Sequence, residues 1–155
     1  MAEQVTTFDY AYLGDVDLTF KPIPTNNYTL QVLGAGLKAV TFKRDTPDEY
    51  EGQIVKLQFA VMDDPEFAGR RLYETVFPGS SGLRNLRRLM DATGVAQEET
   101  ETIASWLERL QDIKPTFNIL VQQRQAQKSK VPQVDESGNP VMENFLVWKE
   151  ATPAT

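Results

Sequence analysis

The chain reads as a mainly β domain with a helical insertion, three strands before the helices and two after. Three observations predict this. First, residues 69–94, GRRLYETVFPGSSGLRNLRRLMDATG, change period midway. Leu72, Glu74 and Val76 alternate with Arg71, Tyr73, Thr75 and Phe77, the two-residue period of a half-buried strand. Pro78 and the Gly-Ser-Ser-Gly run stop it, because proline donates nothing to a ladder and glycine tolerates turns. From there Leu83, Leu86, Leu89 and Met90 share one helical face against Arg84, Arg87, Arg88 and Asp91, and Gly94 suits a left-handed C-cap. Second, strand patterns recur at 28–43, 53–61, 116–124 and 141–149. Third, Gly34-Ala35-Gly36 interrupts a long first strand, as a bulge or sharp bend does.

The other elements follow in order. Val55, Leu57, Phe59 and Val61 face inward on the second strand, with Ile54, Lys56 and Gln58 outward. Ile103, Trp106, Leu107 and Leu110 form the buried stripe of a second helix at about 100–111, with Glu98, Glu99 and Glu101 at its favourable positive end. Residues 125–140 form a long polar loop whose backbone is expected to be mobile. The domain spans residues 22–150. Before it lies an aromatic and acidic arm, residues 1–21, in which Phe8, Tyr10 and Tyr12 and then Val16, Leu18 and Phe20 alternate with Asp15 and Asp17. So much aromatic surface is costly in water, so the arm is expected to dock on the body or on a second copy. Residues 151–155 read as a short tail.

Composition removes much of catalysis. The 155 residues include no cysteine and no histidine, which excludes thiolate chemistry, Ser-His-Asp triads and zinc sites built on imidazole or thiolate. No apolar run approaches the roughly 20 residues a membrane helix needs, and the first residues lack a signal-peptide pattern. A cytoplasmic protein without enzymatic activity is expected. The net charge of −6 argues against a globally basic surface, but the charge is segregated. Five arginines lie between 70 and 88, and Lys114, Arg124, Lys128 and Lys130 lie in a stretch free of acids.

One motif imitates a cofactor site. Gly34-Ala35-Gly36-Leu37-Lys38-Ala39 fits the loose dinucleotide fingerprint, with Asp63-Asp64 downstream. That fingerprint requires a helix after the glycines, whereas 37–46 carries β-branched residues and a phenylalanine and then meets Pro47. No phosphate-binding loop or calcium-loop spacing occurs. No cofactor, metal or catalytic residue is expected. What remains is aromatic and basic interleaving: Lys43, Arg44, Lys56, Arg71, Tyr73, Phe77, Arg124, Lys128, Lys130 and Trp148. Single-stranded nucleic acid is bound by this combination, bases stacking on flat rings while cations track phosphates.

Five strands with helix between the third and fourth is the connectivity of the oligonucleotide-binding (OB) fold, a Greek-key barrel. The sequence resembles phage-encoded single-stranded-DNA-binding proteins, a group long catalogued as of unknown function. The resemblance covers about residues 23–149. It lies in Ile23-Pro24 before Tyr28, Gly69-Arg70-Arg71-Leu72, the helix from Leu83 to Leu89 closed by Gly94, and Asn144-Phe145. It implies sequence-independent coating of single-stranded DNA in phage replication or recombination, in the cytoplasm of a bacterial host. The partners implied are the DNA, a second copy through the arm, and replication or recombination proteins. The chain departs from the pattern at Asn26-Asn27, where a glycine is usual, and lacks the long acidic terminus by which many such proteins recruit partners. A structural or adaptor protein of a phage particle, acting through protein contacts, is the alternative.

Overall fold

The computed structural model describes residues 22–154. The arm expected at 1–21 lies outside them. Five antiparallel strands form one sheet: β1 (Asn26–Phe42), β2 (Tyr50–Val61), β3 (Arg71–Val76), β4 (Thr116–Gln125) and, at the far edge, a long last strand (Met142–Pro153). Between β4 and that strand a two-stranded hairpin, β5 (Gln127–Lys128) and β6 (Val131–Pro132), fills part of the connection, so the last strand is β7. Helices α1 (Ser80–Thr93) and α2 (Ile103–Ile113) lie between β3 and β4. The order β3-β2-β1-β4-β7 is OB-like.

The sheet is not closed into a barrel. No ladder joins the two edges, β3 and β7, although Arg71, Leu72 and Tyr73 face Met142, Asn144 and Leu146 across a groove of about 230 Å³. We call this gap the seam. The sheet curls because β1 is irregular where the glycines predicted it: its register against β2 shifts between Val32 and Gly34. β1 therefore pairs with β4 through its first six residues and with β2 over nearly all the rest. The segment after Gly36 is strand, so the dinucleotide fingerprint lacks the helix it needs.

The core lies on the inner face of the curl. Phe59, Phe117 and Trp148 make an aromatic trio, with Phe59 edge-on to the other two at 5.5 and 6.2 Å and the latter pair stacked at 6.2 Å. Leu30, Val32, Leu57, Ile119, Val121 and Leu146 surround it. Leu86, Leu89 and Ala92 of α1 and Trp106, Leu107 and Leu110 of α2 pack onto this core, and the Trp106 indole N–H donates to Val95 O at 2.7 Å. Gly94 caps α1 in the left-handed region, its N–H bonded to Met90 O. Thr102 caps the start of α2 through the Ser105 N–H.

Three expectations need correction. Leu83, assigned to the buried stripe of α1, is 56% exposed because the helix begins at Ser80 and its first turn overhangs the core. Ile54 keeps the outward register expected of it, paired with Lys38 on the side of Lys56, yet is buried. Residues 151–153 are strand rather than tail: after an irregularity between Asn118 and Leu120, Thr152 and Pro153 pair with Asn118 and Phe117.

Candidate nucleic-acid interface

The register builds a continuous outer face. Inner positions on β2 are Val55, Leu57 and Phe59; the intervening Lys56 and Gln58 therefore point outward. Lys56 pairs with Gly36 on one side and Thr75 on the other, and Gln58 pairs with Gly34 and Tyr73. These residues line a hollow of about 490 Å³ against which Gln111 of α2 packs, its Oε1 accepting from the Ala35 N–H. The floor is glycine. A Cβ at Gly36 would meet nothing within 4 Å, so the space above it is open. Tyr73 stands at the rim, 73% exposed, and Lys56 Nζ is held 2.9 Å from Thr75 Oγ1. Arg71 lies exposed two residues before Tyr73, on the same side of β3.

The same face runs on along the β1–β2 hairpin. Lys38 pairs with Ile54, Val40 with Gly52 and Phe42 with Tyr50. The Phe42 and Tyr50 rings stack with centroids 5.0 Å apart and planes 24° from parallel. Gly52 makes room for this, since a Cβ there would stand 2.4 Å from the Phe42 ring. Lys43 and Arg44 occupy the exposed turn just beyond, with Lys43 at a φ of 51°. From Tyr50 to Gln58 the stripe is about 27 Å long at the ordinary strand rise. Sequence reasoning missed Phe42, Tyr50 and the role of the glycines. The pairing of the two aromatics depends on hairpin register, which no local pattern showed.

On the other flank the outer face is carried by the β4–β7 ladder. Arg124 of β4 lies with its guanidinium carbon 3.5 Å from the centre of the Phe145 ring on β7, and its Nε is 3.4 Å from a Glu143 carboxylate oxygen. Beyond Arg124 stand the exposed Lys128 and Lys130 of the β5–β6 hairpin, whose two-residue turn places Ser129 and Lys130 at positive φ. The connection at 125–140, expected as a long polar loop, holds the short hairpin and hydrogen-bonded turns. Asp135 Oδ1 accepts from the Ser137 and Asn139 N–H groups, and Val134 bridges Pro140.

Two of the ten expected residues fall outside this face. Trp148 is only 7% exposed and part of the aromatic trio, so it plugs the core and offers no platform. Phe77 lies past the end of β3 and lines a different hollow of about 260 Å³, apolar, with Leu37, Val55, Leu83 and Ile103. The other eight are exposed along the outer face, its hairpin turn and the β4–β7 connection.

Glu74 has an unusual place. It lies between Leu72 and Val76 on the inner side of β3, opposite Leu57. Burial pushes its carboxyl up to about 7; Glu143 adds to this, while Arg124 and the Trp148 indole N–H pull it the other way. That indole N–H is buried, and it approaches without meeting a hydrogen-bond partner among the described residues.

Among the described residues no group of three or more acidic side chains is placed to hold a metal ion. No helix among them is long and apolar enough to cross a membrane. No protein-family model matches the chain, nor does any curated protein or solved structure.

Proposed function

We propose that this protein binds single-stranded DNA without sequence preference, as a stoichiometric coat in phage DNA replication or recombination, with no catalytic turnover. One observation carries the reading: a glycine-floored hollow on the outer face of β1–β3, rimmed by an exposed tyrosine and a lysine, aligned with a stacked aromatic pair at one end and cations at both. Bases stack on exposed rings at about 1–3 kcal/mol each, and any base has a ring face, so such a surface is indifferent to sequence. Glycine without a side chain lets a base lie close to the backbone. The cations there are lysine and arginine on exposed positions, where they can follow a phosphate chain at little desolvation cost.

The apolar hollow around Phe77 and Leu83 favours a second reading, an adaptor of a phage particle that works through protein contacts. One experiment separates them. Both tryptophans are buried, so intrinsic fluorescence is a poor reporter; the measurement is anisotropy of a labelled oligo-dT. Wild type should bind at micromolar protein or tighter. Gly36→Leu should fill the hollow and weaken binding at least tenfold while leaving the melting temperature within a few degrees, because the added side chain meets open space. An adaptor would show no binding, and equal binding by both proteins would put the strand elsewhere.

A further inference from the structure

The seam leaves two strand edges, those of β3 and β7, without a ladder partner among the described residues. Such edges are rows of free N–H and C=O groups that folded proteins normally cover. Every ladder in the five-stranded sheet is antiparallel, so β3 and β7 both run in the direction of β1. Direct closure would need a parallel ladder, the less stable kind per residue. A strand placed between the two edges and running the other way would be antiparallel to both. The open stretch is where Arg71, Leu72 and Tyr73 face Met142, Asn144 and Leu146. Leu72 and Leu146 are inward and buried there, whereas Met142, on the side of Leu146, is still 39% exposed. Arg71 points outward.

The chain itself passes this place. Ile23 is clamped by the Asn144 side chain, whose Oδ1 accepts from the Ile23 N–H at 3.0 Å and whose Nδ2 donates to the Ile23 carbonyl at 2.9 Å. Asn144 lines the groove, and Gln123, its ladder partner on β4, donates to the same carbonyl. Only residues 21 and 22 separate this anchor, at the end of the seam where β3 and β7 begin, from Phe20. A segment that reaches the anchor from within the seam runs opposite to β3 and β7, the direction that pairs with both. Residues 15–20 carry the matching pattern, Val16, Leu18 and Phe20 on one side and Asp15, Asp17 and Thr19 on the other. As a strand they span about 20 Å, the length of the six-residue β3. We infer that residues 15–20 of the same chain add as a strand between β3 and β7. Val16, Leu18 and Phe20 then turn toward Met142 and the core, Asp15 and Asp17 turn toward the cation at Arg71, and the curl closes into an antiparallel barrel. The two-residue connection selects the chain's own arm over that of a second copy.

The test needs no DNA and is independent of the DNA reading. The full chain has no cysteine, so Asp17→Cys carries a single nitroxide, at an outward position. In ¹⁵N-labelled protein the amide signals of residues 71–73 and 142–146 should be lost, and should return when ascorbate reduces the nitroxide. A mixture of nitroxide-bearing protein without ¹⁵N and nitroxide-free ¹⁵N protein reports only contacts between copies, and should show no loss. As a second measurement, Leu18→Asp in the full chain should speed hydrogen exchange of the seam-edge amides of β3 and β7 roughly tenfold or more, while the β1–β2 ladder keeps its protection. Seam signals that survive the nitroxide overturn the inference. Loss in the mixture overturns it as well, because a second copy's arm then fills the seam. Equal exchange in wild type and Leu18→Asp does the same. Should Leu18→Asp loosen every strand, the nitroxide result decides by itself.

Discussion

The two flanks of the curled sheet use the same kinds of residue to opposite ends. On the β2–β3 flank the aromatic, Tyr73, stands in solvent beside Lys56 over a floor of glycines. On the β4–β7 flank the large aromatic, Trp148, faces the core and stacks on Phe117, and the ring left outside, Phe145, is covered by Arg124. Composition does not distinguish them. Strand position does: Tyr73 falls on an outward position of β3, between the inward Leu72 and Glu74, whereas Trp148 falls with Leu146 on the inward positions of β7. A ring on a strand becomes a platform or a plug according to register.

The largest expected effect breaks that comparison at its plug. Trp148→Ala should cost about 3–5 kcal/mol of stability, as truncation of a buried large aromatic does, because it removes the ring stacked on Phe117 and edge-on to Phe59. Urea denaturation measures it. Tyr73→Ala, a comparable deletion at a solvent-exposed site, should change stability by only about 0.5 kcal/mol. If Trp148→Ala is equally mild, the ring is not part of the core.

The second effect lies between the flanks. The Glu74 carboxyl is raised from an ordinary 4.5 to about 7. Because the folded state prefers the protonated form, this group costs nothing below pH 4.5. As pH rises from there the unfolded chain releases the proton first, so stability falls until the folded carboxyl also ionises near 7, and is level above that. A shift of this size corresponds to about 3 kcal/mol. Glu74→Gln should thus be more stable than wild type by roughly that amount at pH 8, with little difference at pH 4.5, where urea midpoints give the comparison. Equal midpoints at pH 8 would mean that the carboxylate is well solvated.

How much of this was legible beforehand follows from which forces are local. The switch from a two-residue to a helical period after Pro78 marks β3 and α1 without reference to anything else in the chain, and the observed ranges follow it closely. The glycines at 34 and 36 likewise marked the irregularity that curls the sheet. Facing is different. That Leu146 and Trp148 share a side is local; which side is inner depends on the partner strand and on the irregularity between Asn118 and Leu120. The Phe42–Tyr50 stack depends on pairing across a seven-residue turn. The 151–153 segment has no alternation to read and is strand only because β4 pairs with it. The interleaving of aromatic and basic residues named eight that are exposed along the outer face, its hairpin turn and the β4–β7 connection, but the open seam and the inward Glu74 carry no sequence signature.

The third prediction tests the platform. Tyr73→Ala should weaken oligo-dT binding by about 1–3 kcal/mol, the contribution of one stacked base, and Tyr50→Ala should do the same only for oligonucleotides long enough to reach the hairpin. Tyr73→Phe should restore binding, since stacking needs the ring and not the hydroxyl. Loss in Tyr73→Phe equal to that in Tyr73→Ala would point to a hydrogen bond instead.

The smallest effect concerns the connection beyond Arg124. Lys128 precedes the turn of the β5–β6 hairpin and Lys130 lies in it, both exposed and without an ion pair among the described residues. Alanine keeps the Cβ that lysine has, so the left-handed backbone at Lys130 is no more strained in the variant. Any loss on replacing both lysines is therefore electrostatic. Each phosphate neutralised on a single strand contributes about −0.7 to the slope of log affinity against log salt, so the double variant should flatten that slope by about 1.4 if both lysines make such contacts. Since Lys128 and Lys130 lie past the seam, the flattening should appear only with oligonucleotides that extend beyond the outer face of β2–β3. Weaker binding with an unchanged slope would exclude ionic contacts by these lysines. An unchanged slope with unchanged affinity would end the strand's path at Arg124.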